Sequence, residues 1–276
     1  MLWRELNQFY INKSDMEKLE VKECHKYLLD LAKELHTICV RNNIPYYMLG
    51  GTQLGAIRHK GFIPWDDDMD FGVPRKYYKP LMDLLCKELP SYYKVISIYN
   101  SDTYTNGFFK IEDTRTLIKE MNSKGMKNGV NIDVFPLDYT NNKTGKFSKN
   151  WWIVQLYKLE TYCFSELEDM GWLRMKVNKI LRLFVFFANN KTIFNFIDKH
   201  LIVCDGDYMV NHYGVYAAKE VMRKEIFGSP TLYPFEDTEL LGIERYDEYL
   251  SHVYGNYMQM PKGKANHFHI QELYIK

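Results

Sequence analysis

The sequence lacks the cysteine framework of a small secreted protein. Its five cysteines are scattered along 276 residues without a CxxC pair. An odd, dispersed set suits reduced thiols better than a disulfide framework. The N-terminus also lacks the basic and then apolar order of a secretory signal. We therefore expect a cytoplasmic protein.

Net charge and long apolar runs are also lacking. The formal net charge is +1, so no strong overall field attracts nucleic acid or an anionic membrane, and local groups must hold any anionic ligand. No stretch reaches the roughly 18 to 20 uninterrupted apolar residues of a membrane span. The apolar residues 180–188 are best interpreted as a buried helix, with peripheral membrane contact as the alternative.

Apolar residues are plentiful, at 46% of the chain, which is enough for one domain or one domain with a large insertion. A capping box of Ser14 and Glu17 predicts the start of a long amphipathic helix that ends near Asn43. A short strand at 46–49 then leads into a glycine turn and a helix. Residues 147–203, rich in Trp, Leu, Phe and Lys, predict a helical insertion.

Further strands and helices alternate around this predicted insertion. Strands are expected at 68–73, 108–111, 116–119 and 130–134, with a helix at 75–89 behind the first of them. After the insertion we expect a strand pair around 224–235 and a helix at 245–253. Gly255 should stop this last helix. Residues 1–146 and 204–276 would then form one catalytic domain.

The strongest chemical signal is the acidic run WDDDMD at residues 65–70. On a strand, Asp68 and Asp70 project from the same face, so they can share one hard cation such as Mg²⁺ or Mn²⁺. The alternative is a solvated acidic loop. The alternation of Met69, Phe71 and Val73 favours a strand with one buried face.

A third carboxylate, Asp133, lies on the apolar pattern of residues 130–135. It could ligate the metal or accept the proton of an incoming hydroxyl. The alternative is a strand-end aspartate that caps a turn before Pro136. Asp138 is the more turn-like residue of this segment.

Phosphate binding has several candidate residues. Gly50, Gly51 and Thr52 stand between a strand and a helix start, where backbone N–H groups can approach a phosphate. A plain turn is the alternative for this glycine pair. Arg58 and Lys110 could hold phosphate oxygens or simply be solvated.

Residues 49–70, from LGGTQLGAIRHKGF to IPWDDDMD, closely resemble the LicD family of phosphocholine transferases. Further agreement lies at 110–116, 132–138 and 254–261, so the resemblance spans most of the chain. It implies an α+β fold, with a nucleotidyltransferase-like mixed sheet flanked by helices. Fukutin-related proteins, which use CDP-ribitol, are similar at a greater distance.

The resemblance also implies a chemistry. Phosphocholine would move from CDP-choline, or another phospho-alcohol from its CDP derivative, to a hydroxyl of a cell-surface glycan precursor. The acceptor could be lipopolysaccharide, teichoic acid or capsule, and CMP would be released. Asp68 and Asp70 would be the metal pair and Asp133 the family's later carboxylate. The implied nucleotide or phosphate contacts are Gly51, Thr52, Arg58 and Lys110.

Choline would need aromatic faces around its quaternary ammonium group. Trp65 is the preferred candidate because it adjoins the acidic strand, although the residue taken alone favours a packing role. Two other functions stay possible at this point. The carboxylates could instead serve nucleotidyl transfer from an NTP with pyrophosphate release, or the fold could be a non-catalytic binding module.

Overall fold

The computed structural model describes residues 16–101, 104, 106–120, 129–141, 205–261 and 269–276, together with the single positions 192, 195 and 199. These residues form helices packed against mixed β-sheets, so the α+β class is confirmed. The predicted helical insertion at 147–203 and its apolar stretch at 180–188 lie outside the described residues, apart from those single positions.

The regular elements, in chain order, are as follows. The helices are α1 (Cys24–Arg41), α2 (Gly50–Arg58), α3 (Arg75–Glu88), α4 (Lys224–Phe227) and α5 (Tyr246–Tyr254). The first strands are β1 (Glu17–Leu19), β2 (Tyr47–Met48), β3 (Asp70–Pro74), β4 (Tyr93–Ile96), β5 (Phe109–Asp113) and β6 (Thr116–Glu120). The later strands are β7 (Asn131–Thr140), β8 (Tyr208–Val210), β9 (Val221–Arg223), β10 (Thr231–Phe235), β11 (Thr238–Gly242) and β12 (Ile270–Ile275).

The central sheet has the strand order β2-β3-β7-β5-β4. Strands β3 and β7 are parallel, whereas the other pairs along this path are antiparallel. The end of the long strand β7 leaves this path to pair with β8, which pairs with β9. A second sheet has the order β1-β12-β6, and β10 and β11 form a hairpin.

Two apolar clusters hold these layers together. The larger one packs α1 and α3 against the central sheet, with Leu31, Leu81, Phe71 and Phe109 fully buried. The smaller one joins α2, α4 and α5 to the second half of β7.

The beginning of α1 differs from the prediction. Glu17, the predicted capping-box residue, lies in β1, and the helix begins at Cys24. A reciprocal capping box is formed instead by Glu20 and Glu23, at the short 3-10 turn before α1. Glu17–Leu19 becomes a strand because it pairs with β12, more than 250 residues away, and helical periodicity carries no signal for such a partner.

Other predicted elements are confirmed with shifted bounds. The predicted strands at 46–49, 108–111 and 116–119 correspond to β2, β5 and β6, and the helix at 75–89 to α3. The strand pair predicted at 224–235 was misplaced, since α4 covers its first residues and the hairpin runs over 231–242. Gly255 does end α5, with a φ of 73° that favours glycine.

Asp138 is not the predicted turn residue. It lies within β7, fully buried, and its two carboxylate oxygens accept 2.8 Å hydrogen bonds from Arg75 Nε and Nη2. The strand continues through Pro136, so the turn expected there does not exist. The bidentate ion pair explains how a carboxylate is tolerated in the core.

Two absences apply to the described residues only. The cysteines described there, Cys24, Cys39 and Cys86, are free thiols. None of the helices described there combines the length and the apolar character needed to cross a bilayer.

Candidate active site

The acidic run forms an irregular segment that enters β3, and we call residues 64–69 the acidic loop. Asp70 is the first residue of β3, and its N–H donates to Thr52 Oγ1 at 2.8 Å. Asp68 lies in the loop, so the prediction that Asp68 and Asp70 share a strand face was wrong about Asp68. The side chains still alternate in direction along this segment. Asp66, Asp68 and Asp70 line one cavity, whereas Asp67 and Met69 are buried.

Asp133 stands beside Asp70 on the neighbouring strand. The parallel register of β3 and β7 pairs these two residues directly, and β5 pairs Lys110 with Asp133 from the other side. Lys110 Nζ lies 3.2 Å from Asp133 Oδ1 and donates to Asn131 Oδ1 at 2.9 Å. Asp133 is thus neither a strand end nor a turn cap.

These carboxyl groups raise one another's pKa. Burial, followed by the charges of Asp68, Asp133 and Asp66, raises the pKa of Asp70 well above its usual value. Burial and the neighbouring Asp68 raise the pKa of Asp66 to about 8. Burial also raises the pKa of Asp133, although Lys110 opposes that rise. Such mutual repulsion is what a bound cation would relieve.

The oxygen donors fit a hard divalent cation in their chemistry. Asp68, Asp70 and Asp133 line the same cavity, and Asp133 Oδ1 is buried without a hydrogen-bond partner despite its ion pair with Lys110. Within the described part of the chain, however, no three His, Cys, Asp or Glu side chains already surround one point as metal ligands. Side-chain rotation would therefore accompany metal binding.

The glycine turn sits beside these carboxylates at the start of α2. Gly50 adopts a φ of +48°, and its N–H donates to the Tyr249 hydroxyl at 2.9 Å. Gly51 touches Asp66 so closely that a Cβ there would lie 2.7 Å from Asp66 Oδ2. Thr52 uses its hydroxyl to accept from Asp70. In this structure, therefore, the Gly50 N–H and the Thr52 hydroxyl tie the turn to its neighbours.

Arg58 and Trp65 both line the cavity. Arg58 donates from Nη1 to the Tyr257 carbonyl oxygen at 2.9 Å and from Nε to His59 Nε2 at 2.9 Å. It thereby ties α2 to the loop after α5. Trp65 is half-buried and makes an edge contact with the His59 ring, 6.2 Å between centroids.

The cavity has a volume of about 650 Å³ and opens to solvent. Aromatic side chains from distant parts of the chain line it together with the carboxylates. These aromatic residues are Trp65, Phe108, Phe135, Tyr213, Tyr216, Tyr249, Tyr254 and Tyr257. The hydroxyls of Tyr216 and Tyr254 share a 2.7 Å hydrogen bond.

Several residues of this site were not predicted from the sequence. Asp66 was passed over although it alternates with Asp68 and Asp70, a signal that was available in the acidic run. Glu220 and His269 also line the cavity, but they come from far along the chain. His269 Nδ1 lies 3.7 Å from Asp68 Oδ2, a contact that only the fold reveals.

Comparison with known proteins gives a consistent family. The sequence model described as "LicD/FKTN/FKRP, nucleotidyltransferase domain" matches residues 43–178. The lipopolysaccharide cholinephosphotransferase LicD of Haemophilus influenzae is 32% identical over 271 residues, covering 94% of this chain and 100% of that protein. The ribitol-5-phosphate transferase FKTN of Mus musculus is 30% identical over 175 residues, covering 59% of this chain and 32% of that protein.

The matched residues include the segments that form the central sheet. The match to the Haemophilus protein extends over almost the whole chain. The family model covers the acidic loop, β3 and β7. The chain therefore belongs to the LicD family and is a transferase of that family.

Proposed function

We propose that this enzyme transfers phosphocholine from CDP-choline to a hydroxyl of a lipopolysaccharide or another surface-glycan precursor, with release of CMP. The Haemophilus relative is named for cholinephosphate transfer to lipopolysaccharide, which supports this choice of group and acceptor. Teichoic acid and capsule precursors are alternative acceptors. A cytoplasmic location, at the inner face of the membrane where the acceptor is lipid-linked, belongs to the same proposal.

The observation that carries the proposal is the combination of carboxylates and aromatic walls in one cavity. Asp66, Asp68, Asp70, Asp133 and Glu220 give the lining a surplus of acidic groups. A trimethylammonium group has no hydrogen-bond donors and is recognised by aromatic faces and negative charge. A neutral polyol would need several directed hydrogen bonds instead. Trp65, which belongs to the acidic loop, is the candidate choline contact.

In this proposal Asp68 and Asp70 would hold Mg²⁺, or Mn²⁺ in its place, and Asp133 would either complete this set of ligands or accept the proton of the acceptor. The ion would neutralise charge on the diphosphate and on the leaving CMP. Asp133 is also suited to receive the proton of the attacking hydroxyl, because burial raises its pKa while Lys110 at 3.2 Å favours its ionised form. The hydroxyl oxygen then bonds to the choline-bearing phosphorus while the bond to CMP breaks.

Cationic and backbone groups would hold the donor. Arg58 lines the cavity, where burial lowers the pKa of its guanidinium. An arginine side chain nevertheless remains charged in proteins. We propose that Arg58 contacts donor phosphate oxygens, and that Gly50, Gly51 and Thr52 shape the turn that receives the nucleotide. Lys110 would act mainly through Asp133.

The same carboxylates could serve two other donors. The match to the ribitol-5-phosphate transferase FKTN favours CDP-ribitol as the second candidate. Nucleotidyl transfer from an NTP is the third, and it would release pyrophosphate rather than CMP. Because fold and carboxylates permit all three reactions, the products must separate them.

The test is a competition among CDP-choline, CDP-ribitol, CDP-glycerol, CTP and ATP with the purified enzyme, Mg²⁺ and a glycan acceptor. Products are identified by mass, and Asp70→Asn serves as the inactive control. Preferential CMP release from CDP-choline with a phosphocholine-modified glycan is expected. Faster polyol transfer would overturn the choline assignment, and pyrophosphate release would move the enzyme to nucleotidyl transfer.

A further inference from the structure

Asp67 behaves differently from the other acidic residues of the loop. Asp66 and Asp68 line the cavity, whereas Asp67 points inward and is 4% exposed. A buried carboxylate away from the cavity is costly unless another part of the protein satisfies it. The partners of Asp67 therefore indicate what it does.

Those partners are the first residues of the C-terminal strand. Asp67 Oδ2 accepts a 2.6 Å hydrogen bond from the Ile270 N–H, across 203 residues of sequence. Beside it, His269 Nδ1 lies 3.6 Å from Asp67 Oδ1 and 3.7 Å from Asp68 Oδ2. Ile270 begins β12, which β1 and β6 fix on its two sides. The acidic loop is thus attached to the sheet β1-β12-β6.

The backbone of the loop has little regular support of its own. The Asp66 N–H donates to the Ile63 carbonyl oxygen at 3.0 Å, in a turn. His25 Nε2 lies 2.6 Å from the Asp66 carbonyl oxygen, and its ring stacks on Phe62 with 4.1 Å between centroids. Strand β7 supports only the end of the loop, where the Asp133 N–H donates to the Met69 carbonyl oxygen at 2.9 Å. Before that point, contacts with α1 and with the first residues of β12 define where Asp66 and Asp68 stand.

We propose that Asp67 is a positioning residue through which β12 holds the acidic loop, and with it Asp66 and Asp68, in the orientation needed for transfer. The catalytic part of this inference rests on the proposed function, whereas the attachment of the loop does not. Asp67 contacts neither the cavity nor the reacting groups, so it acts through its neighbours. A displacement of about 1 Å in such a site can lower turnover on the order of 10²-fold.

The first test compares Asp67→Ala with Asp67→Asn. Alanine removes the acceptor of the Ile270 N–H, so we expect kcat to fall on the order of 10²-fold. Asparagine keeps an acceptor oxygen at this position and should recover most of that loss. Asp68→Asn, by contrast, removes a carboxylate from the cavity, so the same replacement should leave this variant inactive. If Asp67→Asn were as inactive as Asp68→Asn, the charge of Asp67 would matter directly and the positioning role would be overturned.

The second test asks whether Asp67 and Ile270 act through the same hydrogen bond. Ile270→Pro removes the N–H donor at the first position of β12, where a strand tolerates proline. If one hydrogen bond carries the effect, the double variant Asp67→Ala/Ile270→Pro should lose no more turnover than the worse single variant. Multiplicative losses would contradict the proposal.

Hydrogen exchange provides a measurement independent of activity. In Asp67→Ala, amide exchange in residues 65–70 should accelerate while exchange in α1 stays unchanged. Asp113→Ala is the matched control, because Asp113 is also a fully buried carboxylate but is held by Arg115 away from the loop. Unchanged loop exchange in Asp67→Ala would overturn the attachment. If the wild type turns over no CDP-alcohol, the proposed function fails, and exchange still decides the attachment.

Discussion

Asp70 and Asp133 are directly paired on two adjacent parallel strands, β3 and β7. Directly opposite residues of a pair of strands project to the same face, so both carboxylates reach the same cavity. Lys110 on β5 continues the row on the far side of Asp133. The sheet itself therefore places two carboxylates and one lysine side chain in a row, independently of the acidic loop.

Asp70→Asn and Asp68→Asn should leave the protein folded and remove metal-dependent turnover. Each change deletes a charged oxygen ligand but keeps the side-chain volume, and in Asp70→Asn the backbone hydrogen bond to Thr52 remains. Turnover at saturating Mg²⁺ and the circular dichroism spectrum should be compared with the wild type. Near wild-type turnover in either folded variant would refute the metal assignment.

Asp133→Asn should lower kcat far more than it weakens donor binding. The amide cannot accept the proton of the attacking hydroxyl, although it fills the same place beside Asp70. Turnover and CDP-choline affinity, the latter by calorimetry, should be measured separately. Lys110→Met is the companion variant. It removes the charge that opposes the rise in the pKa of Asp133, so the acidic limb of the rate profile should move to higher pH.

If the affinity for CDP-choline fell as much as kcat in Asp133→Asn, the residue would help to bind the donor rather than accept the proton. An unchanged acidic limb in Lys110→Met would show that Asp133 does not control it.

The pH dependence of stability should reveal the crowded carboxylates. Burial first, and then Asp68, raises the pKa of Asp66 to about 8 in the folded protein, against about 3.9 in the unfolded chain. Between these values the folded state holds a proton that the unfolded state releases, so stability falls as pH rises. In EDTA, wild-type stability should therefore decline more steeply than that of Asp66→Asn, by up to about 1.4 kcal/mol per pH unit.

Urea unfolding of both proteins at several pH values between 5 and 8 measures this difference. Parallel profiles would contradict the raised pKa.

Much of the central sheet was predictable because its signals are local. The alternation around Phe71 predicted β3, and an amphipathic pattern predicted α3. Pairing between distant segments leaves no local pattern in the sequence. For that reason Glu17, which lies in β1, was predicted to start a helix, and the partners of Asp67 were not predicted. Asp138 was misread as a turn residue because its partner, Arg75, lies 63 positions away.

The Arg75–Asp138 pair gives a stability prediction. The side chains are 8% and 0% exposed, so removing the guanidinium leaves a buried carboxylate without its partner. Arg75→Met should lower the free energy of unfolding by about 3 to 5 kcal/mol. Urea unfolding of this variant and of Arg75→Met/Asp138→Leu provides the check. The double variant should regain much of the loss, since replacing both charges removes the unpaired ion, and equal losses would contradict this explanation.

Gly51→Ala should separate catalysis from stability at the start of α2. The added Cβ would stand 2.7 Å from Asp66 Oδ2, so the carboxylate must move away from the turn. Alanine also favours the helix by about 1 kcal/mol relative to glycine, so the fold should not be weakened. We therefore expect turnover to fall at least tenfold while the midpoint of urea unfolding stays the same or rises.

Gly55→Ala is the contrasting control, because its Cβ would meet the Gly61 backbone oxygen at 2.5 Å and should destabilise the protein. Full turnover in Gly51→Ala would show that the close contact between Gly51 and Asp66 has no part in the reaction.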